Sequence, residues 1–403
     1  MSLLRLHEYR ALSREVLFIV LVNSIFGFAI GFGAPSVAPL IILVNVTMTF
    51  VGNVRAVTQA LGTFIRPMLG PMIDRYGAKP FYMMGGAVTT VGYLAYALTE
   101  SWWLLGAGLM LTNSDMFLRS FASTAANGSN SEPETRGKAF SLDMGVGQVA
   151  STMAPLIGGY VAEELHLSFR WIFWIVVGLM ICGLFLLTIR YPSSKATERA
   201  ERAVFKLYLR QAFSIDRRLR AFAFLSVLDW LVWGLSFPFY TLFIYKQLGA
   251  TTEQLGIVVA ITSASPAIAV FLLGPMLDKW KTTWFLAVSE FMAVGSLTPL
   301  LVGTTPEVAY FSAIFWGLNY GLWMPAMHSL VLDAVGGKNF GRASGNVNML
   351  ASLFSIPSPA IAGWLYDNVS PKLPFAITLV GAIVTGVLML VLLKEDRRTQ
   401  TDA

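Results

Sequence analysis

Charged residues are scarce in this chain. Asp, Glu, Lys and Arg together make up 13% of its 403 residues, whereas they form about 25% of an ordinary soluble domain. Hydrophobic residues make up 55%, and apolar stretches long enough to cross a bilayer as a helix recur along the whole chain. The scarcity of charge therefore excludes an ordinary soluble domain and indicates a membrane protein with many spans.

The chain also lacks cysteine pairs, nucleotide motifs and clusters of catalytic residues. Cys182 is the only cysteine and lies in an apolar segment, which excludes a disulfide framework and a cysteine metal site. No GxxxxGK[ST] phosphate loop occurs, so we do not expect ATP to drive the protein. Because no nucleophile–base–acid set stands out either, we expect no enzyme, no cofactor and no metal.

The chain is basic, with a formal net charge of +6, yet the positions of the charges argue against nucleic acid. Lys and Arg concentrate in the N-terminus, the even-to-odd loops and the C-terminus, all on one side of the predicted spans. Cytoplasmic loops carry this excess, so we expect a plasma or inner membrane protein with both termini in the cytoplasm. The exceptions are Arg170, Lys246 and Lys372 on the other side and Arg55, Arg66 and Arg119 within spans.

The apolar segments predict an all-α polytopic protein with twelve membrane spans. The spans are 17–40, 48–73, 80–99, 102–124, 138–162, 170–190, 220–245, 253–277, 283–303, 307–334, 343–366 and 373–393. They predict a cytoplasmic tail 1–16, a six-helix bundle 17–190, a cytoplasmic linker 191–219, a six-helix bundle 220–393 and a cytoplasmic tail 394–403. The basic linker either lies on the anionic inner leaflet or is a plain connection.

One segment occurs twice, 204 residues apart. LGPMIDRYG begins at Leu69 and LGPMLDKWK begins at Leu273, each at the end of a long apolar run. The same offset aligns Pro155 with Pro359. Repeats of this kind are typical of transporters built from two related halves. We therefore expect the two six-helix bundles to be pseudo-symmetric.

The first copy, GPMIDRYGAKP from Gly70 to Pro80, resembles the loop signature of the major facilitator superfamily. It lies between spans two and three, and the degraded copy lies between spans eight and nine, where that family has it. RGKAFS before span five and FRWIF before span six also resemble family features. The resemblance covers essentially the whole chain. It implies two six-helix bundles around one central site and secondary transport by alternating access.

The repeated segment is interpreted as a cytoplasmic gate. The resemblance implies that Asp74 meets the start of span eleven, where a helix N-terminus attracts a carboxylate. The alternative is a simple tight turn held inside by basic residues. Because Lys281 replaces a motif glycine in the second copy, we expect that copy to form the weaker latch. The predicted gate residues are Gly70, Asp74, Arg75, Gly77, Lys79, Asp278 and Lys279.

Charged side chains within spans are functional candidates, because each costs about 2.5–3.5 kcal/mol at a helix centre. Asp115 and Arg119 in span four are four positions apart and share a helix face. They predict either a titratable acid beside an anion-binding cation or an internal ion pair. Asp229 and Trp233 in span seven predict a coupling acid or cation site with an aromatic wall. The alternative for Asp229 is a polar partner on a neighbouring helix.

The repeat extends the candidate site to span ten. Asn319 aligns with Asp115, and Trp323 aligns with Arg119. Span four lines the central cavity in the family that the chain resembles. We therefore predict that Asn319, Tyr320 and Trp323 contact the substrate.

Three further spans contribute polar candidates. Span two carries Arg55, Gln59 and Arg66, which must face protein or a water-filled cavity because a helix that polar cannot face lipid all round. Asn23 in span one is a candidate contact that can also hold helices together. Glu290 in span nine is expected to pack or pair within the second bundle.

These features predict a secondary active transporter with a small-molecule substrate, acting as a monomer in the lipid bilayer. The arginines within spans favour a small organic anion or zwitterion, and the titratable carboxylates favour protons as coupling ion. One alternative is a proton-driven exporter of lipophilic compounds or drugs. Another, of a different class, is a ligand sensor with the transporter fold, which would exchange no substrate. Nucleic acid is not expected as a partner.

Overall fold

The computed structural model describes residues 12–131, 135–191, 215–277 and 281–393. Within these ranges the chain is helical and contains no strand. Most of both predicted tails and of the predicted linker lies outside the described residues. So do Asp278 and Lys279, the two gate residues of the second motif copy.

The chain forms two compact units, each of which takes in two stretches of sequence. The first consists of Met1–Tyr208 with Gly249–Ala260, and the second consists of Leu209–Leu248 with Ile261–Ala403. The division between the first stretches of the two units, at Tyr208 and Leu209, lies within the predicted linker 191–219.

The helices of the first stretch follow the six spans predicted for residues 17–190. They are α1 (Arg14–Leu43), α2 (Met48–Tyr76), α3 (Ala78–Ala97), α4 (Trp102–Asn113), α5 (Arg119–Ser129), α6 (Arg136–Glu164) and α7 (Phe169–Arg190). Predicted span four is divided between α4 and α5 by a 3-10 turn at Ser114–Met116. The prediction of one continuous helix over 102–124 is therefore wrong at Ser114–Met116.

The remaining helices follow predicted spans seven to twelve. They are α8 (Arg220–Ser236), α9 (Tyr240–Leu248), α10 (Thr252–Leu277), α11 (Thr282–Val302), α12 (Val308–Val335), α13 (Phe340–Phe354), α14 (Ser358–Asn368) and α15 (Leu373–Leu392). Span seven is divided by a 3-10 turn at Phe237–Phe239, and span eleven is divided at 355–357. Pro238 and Pro357 lie in these breaks, and proline cannot donate the backbone hydrogen bond that a helix needs.

Seven helical stretches of the described residues are long and apolar enough to cross a membrane. They are Arg14–Leu43, Phe169–Arg190, Arg217–Leu248, Thr252–Gly274, Thr282–Val302, Phe340–Asn368 and Leu373–Leu392. Helix α2 is not among them and carries Arg55 and Arg66, which agrees with the polar character predicted for the second span.

Each unit has a packed interior that positions its buried polar side chains. In the first unit α1 packs along α6, and the approach is so close that a Cβ atom at Gly158 would overlap the carbonyl oxygen of Phe32. In the second unit α11 packs against both α12 and α15. Phe222 of α8 and Leu286 of α11 are fully buried in one hydrophobic cluster there. Polar groups on the inward faces of these helices are therefore removed from water.

Candidate functional site

The first unit holds a buried ion pair at the break between α4 and α5. Arg119 Nε donates to Asp115 Oδ1 at 2.5 Å, and Arg119 Nη2 donates to Asp115 Oδ2 at 2.9 Å. Thr89 Oγ1 donates to the same Oδ1 at 3.0 Å, and the guanidinium lies 4.9 Å from the ring centre of Phe26. The side chains of Arg119 and Asp115 are only 9% and 13% exposed. The sequence predicted either a titratable acid beside an anion-binding cation or an internal ion pair, and the geometry in this structure is that of an internal ion pair.

A second polar group of the first unit connects α1, α3 and α6. Asn23 Nδ2 donates to both carboxylate oxygens of Asp143, at 3.1 and 3.2 Å. Tyr82 donates its hydroxyl proton to Asn23 Oδ1 at 2.5 Å and also interacts with Arg119. Asn23 thus joins three helices, as polar residues do in membrane helix bundles.

Two arginines on α2 differ from Arg119, because neither forms an ion pair with a carboxylate of the described residues. Arg55 is half-buried, and its Nε is fully buried without a hydrogen-bond acceptor. Arg66 is also half-buried. Their separation of eleven positions corresponds to about three helical turns, or about 16 Å along the axis, so the two lie on nearly the same face of α2.

The first copy of the gate motif forms a tight connection between α2 and α3. Gly77 ends α2 with φ of +81°, a conformation that favours glycine, and its N–H donates to Ile73 O at 2.7 Å. Lys281, which the repeat aligns with Gly77, has φ of −67° and so does not adopt the positive φ of Gly77.

In the first copy of the gate motif, Asp74 forms no ion pair with Arg75 or Lys79. Asp74 is exposed and forms no ion pair with a described residue. Arg75 lies 5.1 Å from the ring centre of Tyr76, and Lys79 Nζ lies 5.7 Å from that of Tyr191. A Cβ atom at Gly70 would meet nothing within 4 Å in the described residues.

The second unit holds a different arrangement, in which two acids meet without a cation. Asp229 of α8 is 6% exposed and Glu290 of α11 is fully buried. Their carboxyl groups interact with each other. Trp233 Nε1 donates to Glu290 Oε2 at 3.0 Å, whereas Glu290 Oε1 receives no N–H or O–H donor from the described residues. Asp229 therefore has Glu290 as its partner on a neighbouring helix.

Aromatic rings surround the indole of Trp233. Its ring packs edge-on against Trp316 with centroids 5.0 Å apart, and Trp316 in turn contacts Tyr240 at 4.4 Å and Phe237 at 6.1 Å. The predicted aromatic wall next to Asp229 is thus present, and it adjoins the acid pair through the hydrogen bond from Trp233.

The predicted residues of span ten do not form one cluster. Asn319 Nδ2 donates to Ser289 O of α11 at 2.8 Å, which is a helix–helix contact. Trp323 is buried in the hydrophobic cluster of the second unit, with Nε1 unpartnered. Tyr320 is 55% exposed. Asn319 and Trp323 therefore face the interior of their own unit, while Tyr320 is accessible.

A cavity of about 1120 Å³ opens in the second unit where α8 and α13 begin and α12 ends. Arg218, Arg220 and Arg342 line it together with apolar residues such as Phe224 and Leu350. None of the predicted substrate or proton residues lines this cavity.

Sequence reasoning missed three residues that complete these groups, namely Asp143, Tyr82 and Trp316. Asp143 is an acid within predicted span five, so the rule used for Asp115 would have found it. Tyr82 and Trp316 carry no such signal, because aromatic residues are common throughout this chain. Glu290 was expected to pair within the second bundle, which agrees with its contacts.

The comparison with protein families gives one consistent result. The family model described as Major Facilitator Superfamily matches residues 16–227 and again residues 222–403. The two matches cover nearly the whole chain and divide it into two halves, as the 204-residue repeat predicted. The all-α polytopic fold with twelve spans is thereby confirmed.

Individual relatives are distant but extend over most of the chain. The class H tetracycline resistance protein of Pasteurella multocida is 20% identical over 401 residues, covering 97% of this chain and 99% of its own length. Human monocarboxylate transporter 11 is 25% identical over 339 residues, covering 78% and 68% of the two chains. The crystal structure of the nucleoside transporter NupG superposes with a TM-score of 0.77 at 14% identity, covering 94% and 100%.

The helix pattern, the duplicated family match and the structural likeness agree with one another. The expected class of the protein, a membrane transporter, is confirmed, and the chain belongs to the Major Facilitator Superfamily.

Proposed function

We propose that the protein is a proton-coupled secondary transporter of small organic anions or zwitterions that works by alternating access. It would act as a monomer in the plasma or inner membrane, with both termini in the cytoplasm. Its proposed partners are the substrate, protons and the lipid bilayer, and it would bind no nucleic acid.

The observation that carries the substrate class is the contrast among the buried arginines. Arg119 is neutralised by Asp115, but Arg55 and Arg66 meet no carboxylate of the described residues. A cation in a membrane helix is expensive unless it faces water or an opposite charge. An anionic substrate passing along α2 would supply that charge.

The spacing of the two arginines suggests two contacts in succession. Positions about 16 Å apart on one helix face are too distant for a small carboxylate to contact both at once. By the predicted topology, Arg55 lies nearer the outer end of α2 and Arg66 nearer the cytoplasmic end. A small anion would therefore contact them one after the other during transport.

The first copy of the gate motif belongs to the same proposal. Asp74 is exposed and forms no ion pair with a described residue. In another state of the transport cycle, its carboxylate could accept hydrogen bonds from the N–H groups at a helix N-terminus. Arg75, Gly70 and Lys79 accompany it. Gly77 supports the proposal because only a residue tolerant of positive φ closes the turn in this form.

The substrate proposal is tested with purified protein in liposomes. Radiolabelled pyruvate serves as the anionic probe, and an imposed pH gradient, acid on the pyruvate side, serves as the driving force. We expect wild-type protein to accumulate pyruvate and Arg66→Gln and Arg55→Gln to raise its KM. Arg190→Gln, an exposed arginine at the end of α7, is the matched control and should behave as wild type.

Two results would contradict the substrate proposal. One is that no protein-dependent pyruvate uptake occurs at any gradient. The other is that pyruvate uptake occurs but both arginine variants keep the wild-type KM, in which case the anion does not meet α2.

Export of lipophilic compounds is the second candidate, because a relative named for tetracycline resistance covers nearly the whole chain. Radiolabelled tetracycline in the same liposomes separates the two candidates. Counterflow of either probe in the absence of a pH gradient would also exclude the ligand-sensor alternative. A protein that only binds its ligand exchanges no ligand across the membrane.

A further inference from the structure

Two buried acids of the second unit share one environment that lacks positive charge. Asp229 lies on α8, one helical turn before Trp233, and the indole of Trp233 donates to Glu290 of α11 at 3.0 Å. The two buried carboxyl groups interact with each other. A lone charge at such a site costs several kcal/mol even after relaxation, and two like charges in contact cost more. The pair therefore needs an explanation beyond helix packing.

The hydrogen bonds of Glu290 show that the pair needs a proton. Its Oε2 accepts from Trp233 Nε1 at 3.0 Å, and its Oε1 is buried and receives no N–H or O–H donor from the described residues. An ionised carboxylate only accepts hydrogen bonds. Two carboxyl groups can hydrogen-bond to each other only when one of them carries a proton, and a proton would also give the buried Oε1 a partner.

No Lys, Arg or His of the described residues forms an ion pair with Asp229 or Glu290. Asp229 is the only charged side chain of the described residues that acts electrostatically on Glu290. The helices packed against α8 and α11 are α12, α13, α14 and α15, together with the turns at Arg217–Leu219 and Phe237–Phe239 that flank α8. The titratable side chains of these elements and of α9 are Arg217, Arg218, Tyr240, Tyr245, Lys246, Tyr310, Tyr320, His328, Asp333, Arg342, Tyr366 and Asp367. The charge of the pair is thus set by protons rather than by an ion pair.

We propose that the Asp229–Glu290 pair is the site that binds and releases the transported proton, with Trp233 as the residue that positions Glu290. This inference rests on the proposed proton coupling and assigns it to the second unit instead of to Asp115. In one state of the cycle the pair holds a single proton between the two carboxyl groups. In the other, the O–H bond breaks, the proton passes to water and both carboxylates are hydrated.

An organic cation is the competing occupant, because acids next to aromatic rings also bind amines. Burial favours the proton. Glu290 is fully buried and Asp229 is 6% exposed, so an ammonium group would have to give up its water to reach the pair.

The decisive variants are Glu290→Gln and Asp229→Asn. Glutamine keeps an oxygen that accepts from Trp233 and gains an amide that donates to Asp229, so Glu290→Gln preserves the packing while removing the titration. In liposomes loaded with unlabelled pyruvate, with no pH gradient imposed, we expect both variants still to take up labelled pyruvate by counterflow. Accumulation driven by the pH gradient should be abolished, because a substrate that is not coupled to protons only equilibrates. Glu100→Gln, whose carboxylate is exposed in a surface pair with Arg170, should keep both activities.

Infrared spectroscopy tests the proton directly and needs no substrate. Purified wild-type protein should show the carbonyl band of a protonated carboxyl group, and the band should shift in D2O. It should disappear in Glu290→Gln or in Asp229→Asn, should remain in Glu100→Gln, and should change frequency in Trp233→Phe, which removes the indole donor.

The outcomes separate this inference from the proposed function. If wild-type protein moves neither pyruvate nor tetracycline, the transport proposal fails and the infrared band alone decides the proton site. If transport is proton-driven but Glu290→Gln and Asp229→Asn both keep full accumulation, the pair is not the coupling site. If radiolabelled tetraethylammonium binds wild-type protein and not Glu290→Gln, the pair is a cation site and the inference is overturned.

Discussion

The two units keep acids inside the membrane in different ways. In the first unit Asp115 is held by two hydrogen bonds from Arg119 and one from Thr89. In the second unit Asp229 meets another acid, Glu290, with only the Trp233 indole as a neutral donor. A permanent countercharge makes the first acid a structural group. The described residues supply no countercharge to the second pair, and an acid pair of that kind changes its charge only by exchanging protons with water. This difference is the reason that we propose the second pair as the coupling site.

The aligned positions of the repeat show the same divergence. Asp115 and Arg119 align with Asn319 and Trp323, so the second unit has lost the ion pair where the first has it. The acid pair of the second unit lies elsewhere, on α8 and α11. Duplication thus preserved the helices, while the polar groups were placed independently in each half.

The largest effect on stability is expected when only one partner of the Asp115–Arg119 ion pair is neutralised. Asp115→Asn leaves Arg119, which is 7% exposed, as a buried cation without a countercharge. Removing one partner of a buried pair costs about 3–5 kcal/mol. We expect thermal unfolding of the detergent-solubilised protein at a clearly lower temperature.

The matched control removes both charges together. Asp115→Asn with Arg119→Gln leaves no uncompensated charge, so this double variant should recover most of the lost stability. If the single and double variants unfold at the same temperature, the two side chains do not act as a pair.

The next largest effect on stability is expected from a change at the close contact between α1 and α6. Gly158 packs against the backbone of Phe32, and the repeat aligns it with Ala362 in the second unit. Gly158→Val should destabilise the protein by about 1–3 kcal/mol, as overpacking does. Gly145→Val is the control in the same helix, since a Cβ atom there meets nothing within 4 Å. Equal unfolding temperatures for the two variants would show that α1 and α6 are not in close contact.

A smaller effect is expected at Trp233. Trp233→Phe keeps an aromatic ring against Trp316 but leaves Glu290 without its indole donor, and an unsatisfied buried acceptor costs about 1–3 kcal/mol. Trp230→Phe, three positions earlier on α8, serves as control. Proton-driven accumulation should weaken in Trp233→Phe more than counterflow does, whereas a purely structural role would lower the two activities in proportion.

Much of the fold could be predicted from the sequence, because apolar length alone defines a membrane helix. The helix breaks were harder to foresee. Pro238 and Pro357 mark two of them, but the break at Ser114–Met116 has no proline, and it forms around a buried ion pair. Local spacing cannot reveal a distortion of that kind.

The candidate site was only partly predictable, for a related reason. Asp115 and Arg119 are neighbours along one stretch of chain, so their spacing was enough to predict contact. Asp229 and Glu290 belong to separate helices, and their contact depends on how α8 and α11 pack. The sequence could identify each acid as costly within a membrane helix, but it could not show that the two lie in one buried group.

The most direct test of the central claim compares proton-driven accumulation in two neutralised variants in the same liposomes. One is Glu290→Gln, and the other is the double variant Asp115→Asn with Arg119→Gln. The probe is pyruvate or tetracycline, whichever the wild type accumulates, with proton flux followed by a trapped pH dye. We predict that Glu290→Gln only equilibrates the probe and moves no protons, while the double variant still accumulates it. Accumulation by Glu290→Gln together with its loss in the double variant would contradict the account.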